Sequence, residues 1–313
     1  MPIKETGLKI WDFIKKAGIK IGRFYTPHKG RNNIVIYAIK ILITIYVVGG
    51  IVFSIGIYKF HWENKPMTMV AVKIYPFPAA FVDGKVIWVK DFYKQEHYVK
   101  HFLDQTKQKG PDEATLRRQL LDRMVELQIV QTQASKNHIF ASKKEIDDAY
   151  KKVVDESGGE AEVEKVLEEL YGMNKKDFLQ LVKEQVIKDK VREGLLVQIK
   201  ARHILVRDDA RAKEALDKVK AGGNFEDLAK EYSEDTASRD KGGDLGWFGR
   251  GTMVKEFEDA AFKLKPGETS ELVKTEYGNH IIRVEDRKGK IDKSYDDWIN
   301  EVRDKAKIIK FIR

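Results

Sequence analysis

The chain contains no cysteine, which removes disulfides, thiolate nucleophiles, cysteine-ligated zinc or iron–sulfur sites and lipid attachment through a thioether. The phosphate-cradling patterns G-x-G-x-x-G and G-x-x-x-x-G-K-[ST] are missing as well. So is the zincin pattern: His97 and His101 share a helical face, but Glu96 precedes the first of them and no third ligand follows, so they are read as a solvated face and no metal or cofactor is expected. Net positive charge is small once the first 33 residues are set aside. Of the net +9, those residues supply +6, eight Lys/Arg against Glu5 and Asp12. A nucleic-acid module would carry its basic surplus, interleaved with aromatics, on a folded body, so nucleic acid is excluded as a partner.

What is present fits at least two folded units with appendages: 313 residues, 42% hydrophobic and 34% charged. One long apolar run stands out, Ile34 to Tyr58, whose only charge is Lys40 near its start. Roughly 20 apolar residues cross a bilayer core, and Lys40 can snorkel back to the headgroups. The basic flank Lys15, Lys16, Lys20, Arg23, Lys29 and Arg31 lies before the run. The positive-inside rule therefore predicts a single-pass cell (inner) membrane helix, residues 34–58, with a cytoplasmic N-terminus and the folded domains on the extracytoplasmic face. No small-x-small cleavage site follows Tyr58, which argues for an uncleaved anchor. Within residues 1–33, Ile10, Phe13, Ile14, Ala17, Ile21 and Phe24 share one helical face with Lys9, Lys16, Lys20 and Arg23 opposite, the pattern of a basic amphipathic segment on the inner leaflet.

After a linker over residues 59–78, Ala80 to Ile87 with Asp83-Gly84 at its centre predicts a small hairpin. Helices follow. Asp91 to Lys107 is the first, and Asp112 to Asn137 the second, with Leu116, Leu120, Met124, Leu127, Val130 and Ala134 at three- and four-residue steps. Ser142 with Glu145 gives a capping box for the third. Val163, Val166, Leu167 and Leu170 mark the fourth. Asn174 caps the fifth, whose stripe is Phe178, Leu181, Val182, Gln185 and Val186. Beyond residue 288, Ser294 and Asp297 begin another helix, with a stripe Ile299, Val302, Ala306 and Ile309 running toward residue 313.

Three features, Val82-Asp83-Gly84-Lys85-Val86-Ile87, the long helix over Leu116 to Gln133, and Gly172-Met173-Asn174-Lys175-Lys176-Asp177-Phe178, together resemble the N-terminal chaperone domain of the SurA/PrsA class of bacterial foldases, over residues 79–199. Trp88 departs from that pattern, which more often has a small hydroxyl residue there. Residues 200–288 carry Ala201-Arg202-His203-Ile204-Leu205-Val206, Ser233-Glu234-Asp235, Gly242-Gly243-Asp244-Leu245-Gly246-Trp247-Phe248, Met253, Phe257-Glu258-Asp259-Ala260-Ala261-Phe262 and Tyr277-Gly278-Asn279-His280-Ile281-Ile282. In order and spacing this succession resembles the parvulin family of peptidyl-prolyl cis/trans isomerases.

The resemblance implies an α+β architecture: a parvulin α/β domain, with a four-stranded antiparallel sheet and surrounding helices, inserted in a mainly α-helical chaperone domain to which the C-terminal helix of residues 289–313 returns. It implies a proline pocket of Leu245, Met253 and Phe257, and a polar set of His203, Asp235, Thr275, Tyr277 and His280, the two imidazoles being hydrogen bonded to each other. Asp235 stands where some relatives carry cysteine, which argues against a covalent role. Val206-Arg207-Asp208-Asp209 is short and acid-balanced, unlike the basic loop of phosphorylation-directed parvulins. The implied partners are unfolded or nascent secreted polypeptides with X-Pro bonds, with the secretion machinery as a further candidate.

Overall fold

The computed structural model describes residues 33–60 and 66–312; the basic amphipathic segment expected before residue 33 lies outside them. By contact density the chain divides into two units, Met1–Ala71 and Val72–Arg313. In the first, helix α1 (Asn33–Phe60) contains the apolar run. Its portion Ala38–Phe60 is long and apolar enough to cross a membrane, and Leu42, Ile43 and Ile45 are exposed along it.

The expected linker is not all extended chain. Helix α2 (Pro66–Ile74) occupies its second half, with Pro66 at the first helical position, where its fixed φ fits and its missing N–H costs nothing.

Strands β1 (Pro78–Val82) and β2 (Lys85–Trp88) form the expected hairpin. Asp83 and Gly84 both take positive φ, 48° and 78°, the geometry that a two-residue hairpin turn demands. Five helices follow: α3 (Val89–Thr106), α4 (Glu113–Lys136), α5 (Lys143–Glu156), α6 (Glu160–Tyr171) and α7 (Lys175–Leu195). Their starts obey the capping chemistry of the sequence. Asp112 and Asn174 accept from the third backbone N–H ahead, and Ser142 with Glu145 makes the reciprocal capping box. Trp88 precedes α3 in extended conformation and offers no side-chain cap. Helix α4 buries Leu116, Leu120, Val130 and Ala134 of the expected stripe, with Leu121, Val125 and Ile129 in place of Met124 and Leu127, which are only half-buried. In α7 the stripe is narrower, because Gln185 is exposed and donates to Asp189.

The α/β domain starts with β3 (Gln198–Val206), then α8 (Asp209–Lys220), α9 (Phe225–Tyr232), a 3-10 turn (Arg239–Lys241), β4 (Asp244–Gly249), α9's successor α10 (Lys255–Ala261), β5 (Val273–Thr275) and β6 (Gly278–Lys288). The strands form an antiparallel sheet in the order β4-β3-β6-β5. Alternation along β3 and β6 supplies two cores. Ile204, Val206 and Ile281 pack with Leu216, Leu228 and Tyr232 of α8 and α9. Ile199, Ala201, Ile282 and Val284 pack with Phe248, Phe257 and Phe262.

The domain is entered and left through a narrow neck. Leu196 bridges Ile291, and the Val197 N–H donates to the Ile291 carbonyl at 2.9 Å. Gly289 (φ +88°) makes the crossing close: a Cβ there would meet the Leu196 oxygen at 2.1 Å.

Helix α11 (Tyr295–Lys305) then returns to the helical domain. The Tyr295 hydroxyl donates to Glu126 at 3.0 Å, and Arg303 donates to the Asp122 carbonyl at 3.2 Å. The expected helix through Ile309 stops early. Ala306 turns extended, and β7 (Ile308–Lys310) pairs antiparallel with β1 to give a sheet in the order β2-β1-β7. The cause is tertiary. The Lys307 N–H donates to the Asp83 carboxylate and its carbonyl accepts from the Asp83 N–H, so the hairpin turn captures the chain. Ile309, expected in the buried stripe, is exposed.

Candidate active site

His203 lies on β3 and His280 on neighbouring β6, both buried, diagonal to each other in a register that pairs His203 with Ile282 and Leu205 with His280, and their rings form a near-parallel stack with centroids 5.4 Å apart. Their Nδ1 atoms are 3.2 Å apart. At one end, His203 Nε2 lies 2.9 Å from Asp235 Oδ2 and 3.1 Å from Ser238 Oγ. At the other, His280 Nε2 lies 2.9 Å from Thr275 Oγ1. The result is one chain of hydrogen bonds, Asp235–His203–His280–Thr275, crossing the sheet.

Local backbone fixes each member. Asp235 follows α9 in a turn in which its Oδ1 accepts from the Ala237 N–H, while Ser238 Oγ donates to Oδ2. Ser233 Oγ accepts from the Leu205 N–H, and the Glu234 N–H donates to the Leu205 carbonyl, pinning that turn to β3. Thr275 Oγ1 accepts from the Tyr277 N–H at 3.1 Å. Gly243 (φ +76°) lies so close to β3 that a Cβ would meet the His203 carbonyl at 2.2 Å. The paired glycines are therefore a turn and close-packed strand entry, as their lack of a phosphate motif suggested.

Burial, reinforced by neighbouring His203 and only partly opposed by Asp235, pushes the His280 pKa down to about 4. His280 is thus neutral at pH 7. Burial disfavours the Asp235 carboxylate, but hydrogen bonds from Ser238, His203 and the Ala237 N–H outweigh it and hold the pKa below the ordinary value. With Asp235 an acceptor only, His203 must donate through Nε2. Its Nδ1 then accepts, so His280 donates through Nδ1 and its Nε2 accepts from the Thr275 hydroxyl. The donor direction runs one way along the chain, from the Thr275 hydroxyl to the Asp235 carboxylate, with the His280 ring uncharged.

Phe257 of α10 covers this chain. Its ring meets His280 edge-on at 5.2 Å and His203 at 5.8 Å, and its other contacts belong to the apolar core that includes Phe248 and Phe262, with Leu245 and Met253 half-buried against it. The structure thereby brings together His203, Asp235, Thr275 and His280, and beside them Leu245, Met253 and Phe257. Tyr277 joins through its backbone alone, its side chain being exposed.

Two participants escaped the sequence reading. Ser238 shares the Asp235 carboxylate with His203; a hydroxyl three residues beyond an acidic turn residue was the available signal. Glu258 is buried, and its Oε1 accepts from both the Thr252 and Met253 N–H groups at 2.8 Å, fixing the loop that presents Met253. Nothing in its helical surroundings distinguished it from a surface glutamate.

Residues 179–288 match the family described as PPIC-type PPIASE domain, and residues 78–192 match the SurA N-terminal domain. Foldase protein PrsA 1 of Bacillus cereus is 57% identical over 106 residues, which are 34% of this chain and 37% of that protein. Foldase protein PrsA of Caldanaerobacter subterraneus subsp. tengcongensis is 37% identical over 65% of each chain. The chain thus spans less than two thirds of these curated relatives. A crystal structure of peptidylprolyl isomerase (PrsA) from Bacillus anthracis is 32% identical, covering 59% of this chain and 86% of that one, with a TM-score of 0.31. The chain carries a PPIC-type (parvulin) peptidyl-prolyl isomerase domain over residues 179–288 and a SurA-type N-terminal domain over residues 78–192.

Proposed function

We propose that this protein is a membrane-anchored, extracytoplasmic foldase that catalyses cis/trans isomerisation of X-Pro bonds in secreted or envelope polypeptides, its helical domain holding unfolded segments. The observation that carries this reading is the hydrogen-bonded chain Asp235–His203–His280–Thr275 beside buried Phe257 and the half-buried Leu245 and Met253. Rotation about the prolyl bond faces a barrier of about 20 kcal/mol because amide resonance is lost on twisting. Neither a nucleophile nor proton transfer is required. An apolar grip on the proline ring removes water that stabilises the planar amide, and a site matched to the twisted form lowers the barrier. The locked tautomers give that site a fixed dipole pattern, so no reorganisation is needed as the bond turns.

Anchoring rests on the apolar helix α1 with the basic flank before it; by charge asymmetry, the N-terminus is cytoplasmic and residues 60–313 lie outside. A second reading, a holdase with a weak isomerase, draws support from a cleft of about 350 Å³ among α5, α6 and α7, lined by Val153, Val163, Leu167, Met173, Phe178 and Leu181. The deciding experiment measures cis/trans exchange in unphosphorylated X-Pro peptides, several X residues, with the full chain in detergent. Acceleration over the uncatalysed rate is expected without a phosphorylated X. Uncatalysed rates at every X, with aggregation of a denatured client still suppressed, leave the holdase reading standing instead.

A further inference from the structure

Helix α2 has two unlike faces. Thr68, Ala71 and Val72 are buried, whereas Met67, Val70 and Ile74 are 71%, 58% and 56% exposed. The exposed three are spaced i, i+3 and i+7, so they form one narrow apolar stripe along a nine-residue helix. Lys73 is exposed beside it. Three large apolar side chains in a row are a costly surface to leave in water, and the position of this helix in the chain says what covers it.

Only residues 61–65 separate Pro66 from Phe60, the last residue of α1. Fully extended, five residues reach no more than roughly 18 Å. If α1 crosses the bilayer, this tether starts α2 within about 18 Å of the outer end of the span, next to the outer headgroups, a layer about 5–8 Å deep on each side of the hydrocarbon. The connecting sequence includes Trp62, a residue type favoured at that depth. A short helix with an apolar stripe and a lysine at its margin is the kind of element that lies in the interface plane, stripe inward and ammonium toward lipid phosphates.

We infer that α2 lies on the outer surface of the membrane, with Met67, Val70 and Ile74 inserted among the lipids. This rests on reading α1 as the membrane span. Its effect is to make the anchor two-point, a crossing helix plus a surface helix.

The absence of cysteine makes the test direct. Ile45→Cys, Met67→Cys, Val70→Cys, Lys73→Cys and Ile74→Cys are each made in the full chain, spin-labelled and reconstituted in phosphatidylethanolamine–phosphatidylglycerol vesicles. Collision rates with oxygen, which concentrates in lipid, and with a water-soluble nickel chelate are compared. The inference requires a severalfold higher oxygen-to-nickel ratio at positions 67, 70 and 74 than at 73, together with a lipid signature at 45. A lipid signature at 45 with free nickel access at 67, 70 and 74 overturns it and leaves the span intact. Low accessibility to both reagents at the stripe overturns it in favour of a protein contact. Nickel access at 45 removes the span, and the inference with it.

Discussion

His203 and His280 meet through Nδ1 on both sides, 3.2 Å apart, an arrangement in which one ring must donate and the other accept. Because the acid at one end only accepts while the hydroxyl at the other can donate or accept, the direction is set from the acid end and not by the pair itself. The two imidazoles therefore behave as one unit, and a proton added to either breaks the pattern for both.

That unit predicts acid lability at a definite place. The His280 pKa is about 4 in the folded protein against an ordinary 6.5, so between these values the unfolded chain binds a proton that the folded one refuses. The stability from this group is complete above pH 6.5 and is lost as pH falls toward 4, by up to about 3 kcal/mol. Denaturant unfolding of the wild type and of His280→Gln should show this slope between pH 6.5 and 4 in the first and not in the second. Parallel pH profiles would remove the assignment.

In the proposed proline pocket Phe257 also packs on both imidazoles, whereas Met253 is half-buried against the apolar cluster. Met253→Ala should cost roughly tenfold in kcat/KM toward X-Pro peptides, about 1.4 kcal/mol of transition-state binding, with little change in melting. Phe257→Ala should also destabilise the domain, by about 3–5 kcal/mol for an aromatic removed from a packed core. Equal melting temperatures for the two variants would contradict this division.

Glu258 positions Met253 through two backbone N–H groups. Glu258→Ala removes the acceptor of both donors, at a cost of about 1 kcal/mol for each hydrogen bond lost, and frees the loop. KM for prolyl peptides should rise more than kcat falls, and Glu258→Gln, whose amide oxygen can still accept, should recover most of the loss. Failure of glutamine to rescue, with the fold intact by circular dichroism, would point to a role for the charge.

The neck at Leu196 and Ile291 makes excision geometrically simple. Replacing residues 198–289 with a short Gly-Ser turn should leave a helical, cooperatively unfolding protein without isomerase activity. An unfolded product would show that the helical domain leans on its insertion for stability.

Much of this was legible in one sequence where local chemistry decides. Ser142 with Glu145, Asn174 and the Asp83-Gly84 turn carry their own hydrogen-bonding instructions, and the histidines and pocket residues stand in motifs whose spacing survives reading. What was not legible depends on partners far away in the chain. Residues 306–309 continue a helical period, yet Asp83 captures Lys307 and makes a strand. Pro66 opens a helix where polar neighbours suggested a linker. Glu258 differs from an ordinary helical glutamate only because the Thr252–Met253 loop folds over it, and no period reports that.

Strand β7 completes its sheet on β1, the earliest strand of the folded unit. A polypeptide emerging N-terminus first, from a ribosome or a translocation pore, presents β1, β2 and all of α3 to α7 before β7 exists. The outer edge of β1 stays open throughout that interval, while every strand of the intervening sheet is already at hand. The insertion can close as soon as Lys288 is out, whereas the β2-β1-β7 sheet is completed only when the tail has followed.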